Sequence, residues 1–558
     1  MMRRTRAIAA AAVSAALGLA ALPAATAGAA TPTWAATATL AEPTAGLTSL
    51  GAASPSAPLS VTVALRLRDT PSLENAIASG STLTASEFDS LYAPTTAQAA
   101  AVVSYLDSQG FSGVRTSGNR VLVTANGTVG QAVSAFHTRI QDFDLAGRTV
   151  FANVAPAQVP PSLSGVVGSV LGLNDVGTMS TPLRKGPAKQ VATNAPSSCL
   201  VSGVGYPCTY NPQGFWKAYD ATSAPTGSKT SIAIFAEGDL TQVVKDLRQE
   251  ESANGLPQVA LTVVPVGLAS SDTSGADEWD LDTQYSTGMA GTVRHLYVYD
   301  TTSLTDSDIA REFNAFVSDP VARAGSASFG ECEYQAYLDG SMLADDEAFA
   351  QAAVQGHTVF ASAGDTGGFC PVAPNNGVPA GIPDVNYPAS SPYVVAVGGT
   401  TLVTGTNGAY DLETAWLAGG GGPSLFETAP AWQSGVAPPL STACGLQALT
   451  GCGRTLPDVA MDADPNSGAN VYVDGTPTAV GGTSLSSPLT LGVWARLESG
   501  HSNRLGFASP RLYHAYGSAG YHDIVLGDTG PYPATPGYDL ATGMGSFDVA
   551  KMETAIGG

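Results

Sequence analysis

A chain of 558 residues that is 44% hydrophobic and only 13% charged is too long for one ordinary domain and too apolar to be disordered. Acids outnumber Lys and Arg by 46 to 24, giving a net charge of −22, and no basic stripe appears, which excludes nucleic acid as a partner. In acid the carboxylates become neutral and few cations are left to repel one another, so the composition suits either an acid-tolerant protein or an ordinary secreted one.

At the N-terminus, Arg3, Arg4 and Arg6 precede an Ala/Leu-rich run over residues 7–22, then Pro23 and the small residues Ala25-Thr26-Ala27. This grammar predicts a secretory signal over residues 1–30, the run being short for a bilayer span. No later segment is apolar and long enough to cross, so no membrane partner is expected. Export suits the six cysteines, Cys199, Cys208, Cys332, Cys370, Cys444 and Cys452, as three disulfides. Short loops favour Cys199–Cys208 and Cys444–Cys452 and leave Cys332–Cys370, one of the pairings the count allows. No CxxC or Cys/His cluster points to zinc. Residues 31–57, rich in Ala, Thr, Pro and Ser, read as a loose segment. Residues 58–176 read as a small α+β domain, with strands over 59–65 and 120–124 and helices over 95–109 and 129–136. Residues 177–204 carry prolines and cations with little apolar content, the pattern of an exposed, cleavable linker. Residues 205–558 alternate buried-strand runs (231–236, 261–267, 296–299, 324–329, 358–361, 393–397) with helical stretches near 240–252, 278–290, 306–318 and 343–355. The expected fold is α/β, a mainly parallel sheet with helices on both faces. Ligands of such sheets bind beyond the strand C-terminal ends.

The sharpest motif is Gly481-Gly482-Thr483-Ser484-Leu485-Ser486-Ser487-Pro488, a glycine turn leading into apolar Leu489, Leu491, Val493 and Trp494. Pro488 is expected in the first helical turn, which tolerates it. Ser484 then stands at a helix N-terminus, where free N–H groups and the dipole favour a developing oxyanion. A helix cap would look the same locally, but Gly-Thr-Ser-x-Ser-x-Pro is similar to the nucleophile motif of subtilisin-like folds. Such a serine needs a base. None of His137, His295, His357, His501, His514 and His522 lies in the His-Gly-Thr-His block of subtilisin-type enzymes. In Asp277-Glu278-Trp279-Asp280-Leu281-Asp282, however, Glu278 and Asp282 are i and i+4 on one helix face. Two carboxyls this close share a proton, so one pKa rises and the pair can take the Ser484 proton and return it in mild acid. A solvated acidic face is the plainer alternative. Asp365, in Ser362-Ala363-Gly364-Asp365-Thr366-Gly367, ends a buried strand. Protonated, it can donate a hydrogen bond to an oxyanion; ionised, it cannot, which sets an upper pH limit. An ordinary turn Asp is its plainer alternative.

Ser484, Glu278 with Asp282, and Asp365 occur in the order seen in the sedolisin (serine-carboxyl peptidase) family, which includes kumamolisin and tripeptidyl-peptidase relatives. The chain resembles that family over residues 58–555. The likeness extends to Ser326-Ala327-Ser328-Phe329-Gly330, to Gly419 through Gly422 with Pro430-Ala431-Trp432-Gln433, and to Leu456-Pro457-Asp458-Val459. Upstream, Leu83-Thr84-Ala85-Ser86-Glu87-Phe88 and Tyr92-Ala93-Pro94 resemble its activation prodomain. Thr283-Gln284 departs from the Ile and acid often found there, a change expected to tune the carboxyl network. The resemblance implies a secreted, acid-acting serine endopeptidase with subtilisin-like architecture. Ser484 would be the nucleophile, Glu278 the general base and acid, Asp282 its orienting partner, and Asp365 the oxyanion donor. Residues 58–176 would be an activation prodomain that inhibits intramolecularly, residues 177–204 the self-processing linker, and residues 205–558 the catalytic domain, a monomer acting on proteins or peptides.

Near the C-terminus, Asp523-Ile524 and Thr535-Pro536-Gly537-Tyr538-Asp539 offer oxygen ligands suited to a hard cation. The stretch resembles the family's structural calcium loop. That implies one Ca2+ held by the Asp523 and Asp539 side chains and the Ile524, Thr535 and Gly537 carbonyls. Other readings stay open: a tripeptidyl-peptidase of the same family, a Ser-His-Asp peptidase using His357 or His295, and a catalytically inactive secreted binding protein on this scaffold.

Overall fold

The computed structural model describes residues 34–186, 209–319, 321–370, 384–405, 407–438 and 453–557. The expected signal and the cysteines Cys199, Cys208, Cys444 and Cys452 lie outside them. The disulfide Cys332–Cys370 is present. Among the described residues no helix is long and apolar enough to cross a membrane.

The N-terminal part is a four-stranded antiparallel sheet in the order Ser112–Thr116, Leu122–Thr128, Pro58–Leu65, Val167–Leu171. Its helices Thr96–Ser108 and Val129–Ala135 each open on a threonine whose hydroxyl and a glutamine three residues on satisfy the first free N–H groups. Val61, Val63, Val102, Leu106, Val123 and Val170 fill its core. The expectation of a loose segment over 31–57 does not hold for residues 34–57. Ala35–Ala36 pairs with Gln158–Val159, and Thr48–Ala52 pairs with Ile140–Leu145. Composition misled here because small residues fit a tight seam. The Thr37 and Thr39 hydroxyls satisfy the carbonyls of Ala157 and Val170.

The larger part carries an eight-stranded sheet in the order Leu261–Pro265, His295–Thr301, Ser231–Glu237, Ala324–Ala327, Thr358–Ser362, Val394–Thr404, Tyr410–Ala415, with Val459–Asp462 also paired to Val394–Thr404. Every pairing is parallel except that of Tyr410–Ala415. Helices Thr241–Asn254, Ala276–Ala290, Asp306–Ser318 and Ser341–Val354 fall where the periodicity predicts them. The strand predicted over 393–397 runs from Val394 on to Thr404, with Gly398 and Gly399 paired to Ala460 and Met461. Phe235 packs edge-on against Phe313 and Phe316 beside the sheet centre.

The N-terminal sheet sits on helices Asp306–Ser318 and Ser341–Val354. The Asn119 amide donates to Asn314 Oδ1 and Gln351 Oε1, both at 2.8 Å, and the Leu67 N–H donates to Glu347 at 2.9 Å. This seam takes carboxyls out of water. Burial pushes Glu347 up to about 8 against the Leu67 N–H and Arg66, and burial and nearby Asp339 push Glu42 up to about 8.

Candidate active site

Helix Thr483–Gly500 is buried from Thr483 through Ser499, its polar side chains satisfied internally: Ser486 donates to the Met461 carbonyl and Arg496 to the Met289 and Ala221 carbonyls. It packs along helix Ala276–Ala290. The approach is close at Gly492, where a Cβ would meet the Ser286 carbonyl oxygen at 2.7 Å. This contact sets the carboxyl pair beside the serine. Ser484 is the second residue of its helix, as the glycine turn predicts. Pro488 is not in the first turn as expected but is the sixth residue. A residue there would normally donate to the Ser484 carbonyl, and proline cannot. The Ser328 hydroxyl approaches that carbonyl instead, at 3.4 Å.

Glu278, Asp282 and Ser484 are buried, at 2%, 0% and 0% exposure. Asp282 Oδ1 accepts from the Ser328 hydroxyl at 2.6 Å. Burial, then the neighbouring Asp282, raises the Glu278 carboxyl well above its ordinary range, while Ser484 and the Leu183 N–H lie close enough to oppose the shift. Ser484 Oγ and the two Glu278 oxygens stop short of hydrogen-bond geometry. Burial also raises Asp282, against the Ser328 hydroxyl. Two buried carboxyls that feel each other's charge resist double ionisation, so one can keep a proton while the other serves as a base.

Asp365 follows strand Thr358–Ser362 and reaches the start of the serine helix. Its Oδ1 accepts from the Thr483 N–H and hydroxyl, both at 2.8 Å, so it satisfies a free helix-end donor. Among the described residues its Oδ2 has no hydrogen-bond partner. Burial pushes Asp365 up to about 7, against Thr483 and Arg184. A carboxyl with that pKa is neutral in acid and can donate through Oδ2.

The first part of the linker, expected to be exposed, lies in this cleft. Ser180 and Gly330 exchange two backbone hydrogen bonds, 2.9 and 3.0 Å. Arg184–Lys185 then pairs antiparallel with Thr476–Gly481, and the Gly186 N–H reaches the Ala479 carbonyl at 2.8 Å. Arg184 Nε stands 3.6 Å from Asp365 Oδ2, and Lys185 pairs with Asp277. The reason is backbone chemistry. Two strand edges flank the serine, and an extended segment satisfies both.

The four residues singled out from sequence thus converge on one cleft. Ser328 and Thr483 were missed as site members. Both lie inside quoted motifs, but nothing local marks a serine or threonine as a carboxyl's partner. No histidine shares a hydrogen bond with Ser484. Buried His357 is tied to the Ala322 carbonyl at 2.8 Å, and burial lowers it to about 4; His295 pairs with Thr262.

The C-terminal loop gathers the five calcium-ligand candidates. Gly537 N–H lies 3.1 Å from both Asp523 oxygens, and Thr535 N–H donates to Asp539 Oδ2 at 2.7 Å. Asp539 Oδ1 is held by the Ala541 and Thr542 N–H groups, and Ile524 is buried behind the loop. Asp523 and Asp539, tied to one loop through the Gly537 and Thr535 N–H groups, are the hard oxygen donors that Ca2+ takes.

Comparison with known proteins places these features in context. The family model described as Pro-kumamolisin, activation domain, matches residues 45–176. Sedolisin of Pseudomonas sp. (strain 101) is 39% identical over 529 residues, covering 89% of this chain and 86% of its own. Xanthomonalisin of Xanthomonas sp. (strain T-22) is 36% identical over 554 residues, 89% of this chain and 65% of its own. Kumamolisin of Bacillus sp. (strain MN-32) is 31% identical over 443 residues, 75% and 76%. A solved structure of Pseudomonas sedolisin, a serine-carboxyl proteinase complexed with two molecules of pseudo-iodotyrostatin, superposes with a TM-score of 0.58 at 40% identity, covering 63% of this chain and 99% of that one.

Proposed function

The chain belongs to the sedolisin family of serine-carboxyl peptidases, and on that premise we propose that it is a secreted endopeptidase that works in acid and processes its own precursor. One observation carries the reading: Ser484, Glu278, Asp282 and Asp365 are buried together beneath an extended stretch of the chain's own backbone. Glu278, oriented with Asp282, takes the Ser484 proton as Oγ attacks the peptide carbonyl. Neutral Asp365 and the Ser484 backbone N–H stabilise the oxyanion. As the carbon–nitrogen bond breaks, Glu278 returns the proton to the leaving amine, and water hydrolyses the acyl-enzyme. Endopeptidase action is favoured over tripeptidyl release because the linker continues upstream of the site, where the Met179 N–H bonds the Leu304 carbonyl.

Residues 58–176 act as the inhibitory prodomain, and cleavage follows within residues 177–204. The precursor held at about pH 4, near the ordinary carboxyl pKa, tests this. Self-cleavage is expected in wild type and absent in purified Ser484→Ala and Glu278→Ala; processing that persists in both rejects the triad. Asp523 and Asp539, with the Ile524, Thr535 and Gly537 carbonyls, would hold Ca2+, which when bound cross-links the C-terminal loop. Chelation at neutral pH is expected to lower Tm in wild type and to leave Asp523→Ala unmoved, read by calorimetry.

A further inference from the structure

The linker passes the serine in a definite register. In an antiparallel ladder, hydrogen-bonded pairs recur every second residue. Ser180 and Gly330 form such a pair, an isolated bridge; extended by two residues, its register sets residue 182 opposite Ser328, where an N–H at residue 182 could donate to the Ser328 carbonyl. Residue 182 is proline and has no N–H, so the ladder loses its next bond there. Pairing resumes beyond it, with Arg184 opposite Gly481. The peptide joining Pro182 to Leu183 therefore spans the gap between the two ladders.

Its two ends face different groups. A Cβ built on Gly482 (φ +108°) would lie 2.8 Å from both the Pro182 carbonyl oxygen and Asp365 Oδ2, so that oxygen and the Asp365 carboxyl share one cradle. The Leu183 N–H of the same peptide faces Glu278. The carbonyl is on the oxyanion side, and the leaving nitrogen is on the proton-donor side.

We propose that residues 180–186 occupy the cleft in the cleavable register and that Pro182, at the acyl position, is the specificity-determining residue that keeps the chain from cutting itself there. The inference rests on Ser484 being the nucleophile. Cleavage would join Ser484 Oγ to the residue-182 carbonyl carbon, break its bond to the Leu183 nitrogen with the proton supplied by Glu278, and release the acyl group to water. Proline resists because the acyl residue is left without the backbone hydrogen bond to strand Ala324–Ala327's extension at Ser328, and its ring cannot turn to recover one. The cleft is then blocked by a poor substrate, and processing proceeds at other bonds.

The test compares purified wild-type precursor, Pro182→Ala and Pro182→Ala/Ser484→Ala at about pH 4, with N-termini identified by mass spectrometry. A new N-terminus at Leu183 is expected in Pro182→Ala, about twofold to tenfold faster than in wild type, the worth of one hydrogen bond, and absent in the double variant. Wild type yielding Leu183 as fast as Pro182→Ala overturns the role of proline. Cleavage of Pro182→Ala only at other bonds overturns the register. Cleavage at Leu183 in the double variant removes Ser484 as nucleophile and both readings with it. Should Pro182→Ala fail to fold, mature enzyme is given two peptides spanning residues 178–186, with Pro or Ala at position 182. The alanine peptide is expected to be cut before Leu183, and the proline peptide to inhibit competitively without being cut. Equal turnover of the two, or cleavage elsewhere in the alanine peptide, refutes the proposal.

Discussion

If Asp365 acts as a neutral donor, activity must fade as it ionises, and the structure sets where. Burial pushes its pKa to about 7 with the linker in place, opposed by Thr483 and Arg184. Bound substrate restores the burial without the arginine, so the alkaline limb of kcat, which reports the enzyme–substrate complex, is expected at or above about pH 7. With a pKa of 7 almost every molecule is neutral at about pH 4, while about one in eleven is neutral at about pH 8; activity then falls about tenfold for each further unit. Replacing Asp365 by Asn keeps a donor that does not titrate. Asp365→Asn is expected to lose at most about tenfold in acid and to show no limb near pH 7, whereas Asp365→Ala loses roughly a hundredfold to a thousandfold in kcat at every pH. The assay is kcat on one peptide substrate from about pH 3 to about pH 9. If Asp365→Asn keeps the wild-type limb, the titrating group is the Glu278–Asp282 pair, and the oxyanion argument is refuted.

Thr483→Val removes the hydroxyl that lowers the Asp365 pKa; the alkaline limb is expected to move to higher pH in the same assay, and a downward shift contradicts the assignment. Glu42 and Glu347 have pKa values raised to about 8 in the seam. Raised values stabilise docking fully below the free carboxyl pKa of 4.5, and that stability is lost as pH climbs through about 8. In the Ser484→Ala precursor, hydrogen exchange along Pro58–Leu65, corrected for intrinsic rates, is therefore expected to increase from about pH 5 to about pH 8, with a smaller increase in Glu347→Gln. Arg454 and Asp458 are each 1% exposed and bonded at 2.6 and 2.7 Å. Asp458→Ala strands a buried cation and is expected to cost about 3–5 kcal/mol, measured by denaturant unfolding of the Ser484→Ala precursor; a loss below about 1 kcal/mol shows that Arg454 finds another partner.

Much of this protein was legible in the chain order of its residues. Alternating apolar runs and helical stretches indicated a mainly parallel α/β sheet, and the motifs around Ser484, Glu278 and Asp365 indicated the family. These are local signals. The period of a strand, the i, i+4 spacing of Glu278 and Asp282, and a glycine turn before a helix each involve only a few neighbouring residues. What local signals could not convey is which distant segment meets which. Thr483 holds Asp365 across 118 positions, and Ser328 reaches Asp282 across 46. Residues 34–57 looked loose by composition and became ordered only because a seam and two strand edges were there to receive them. The proline at position 182 reads as a linker residue until the fold brings its carbonyl beside Gly482 and the Asp365 carboxyl. Contacts of this kind depend on how whole elements pack, since backbone donors and acceptors are satisfied by whatever edge the fold brings near, not by the residues next in sequence.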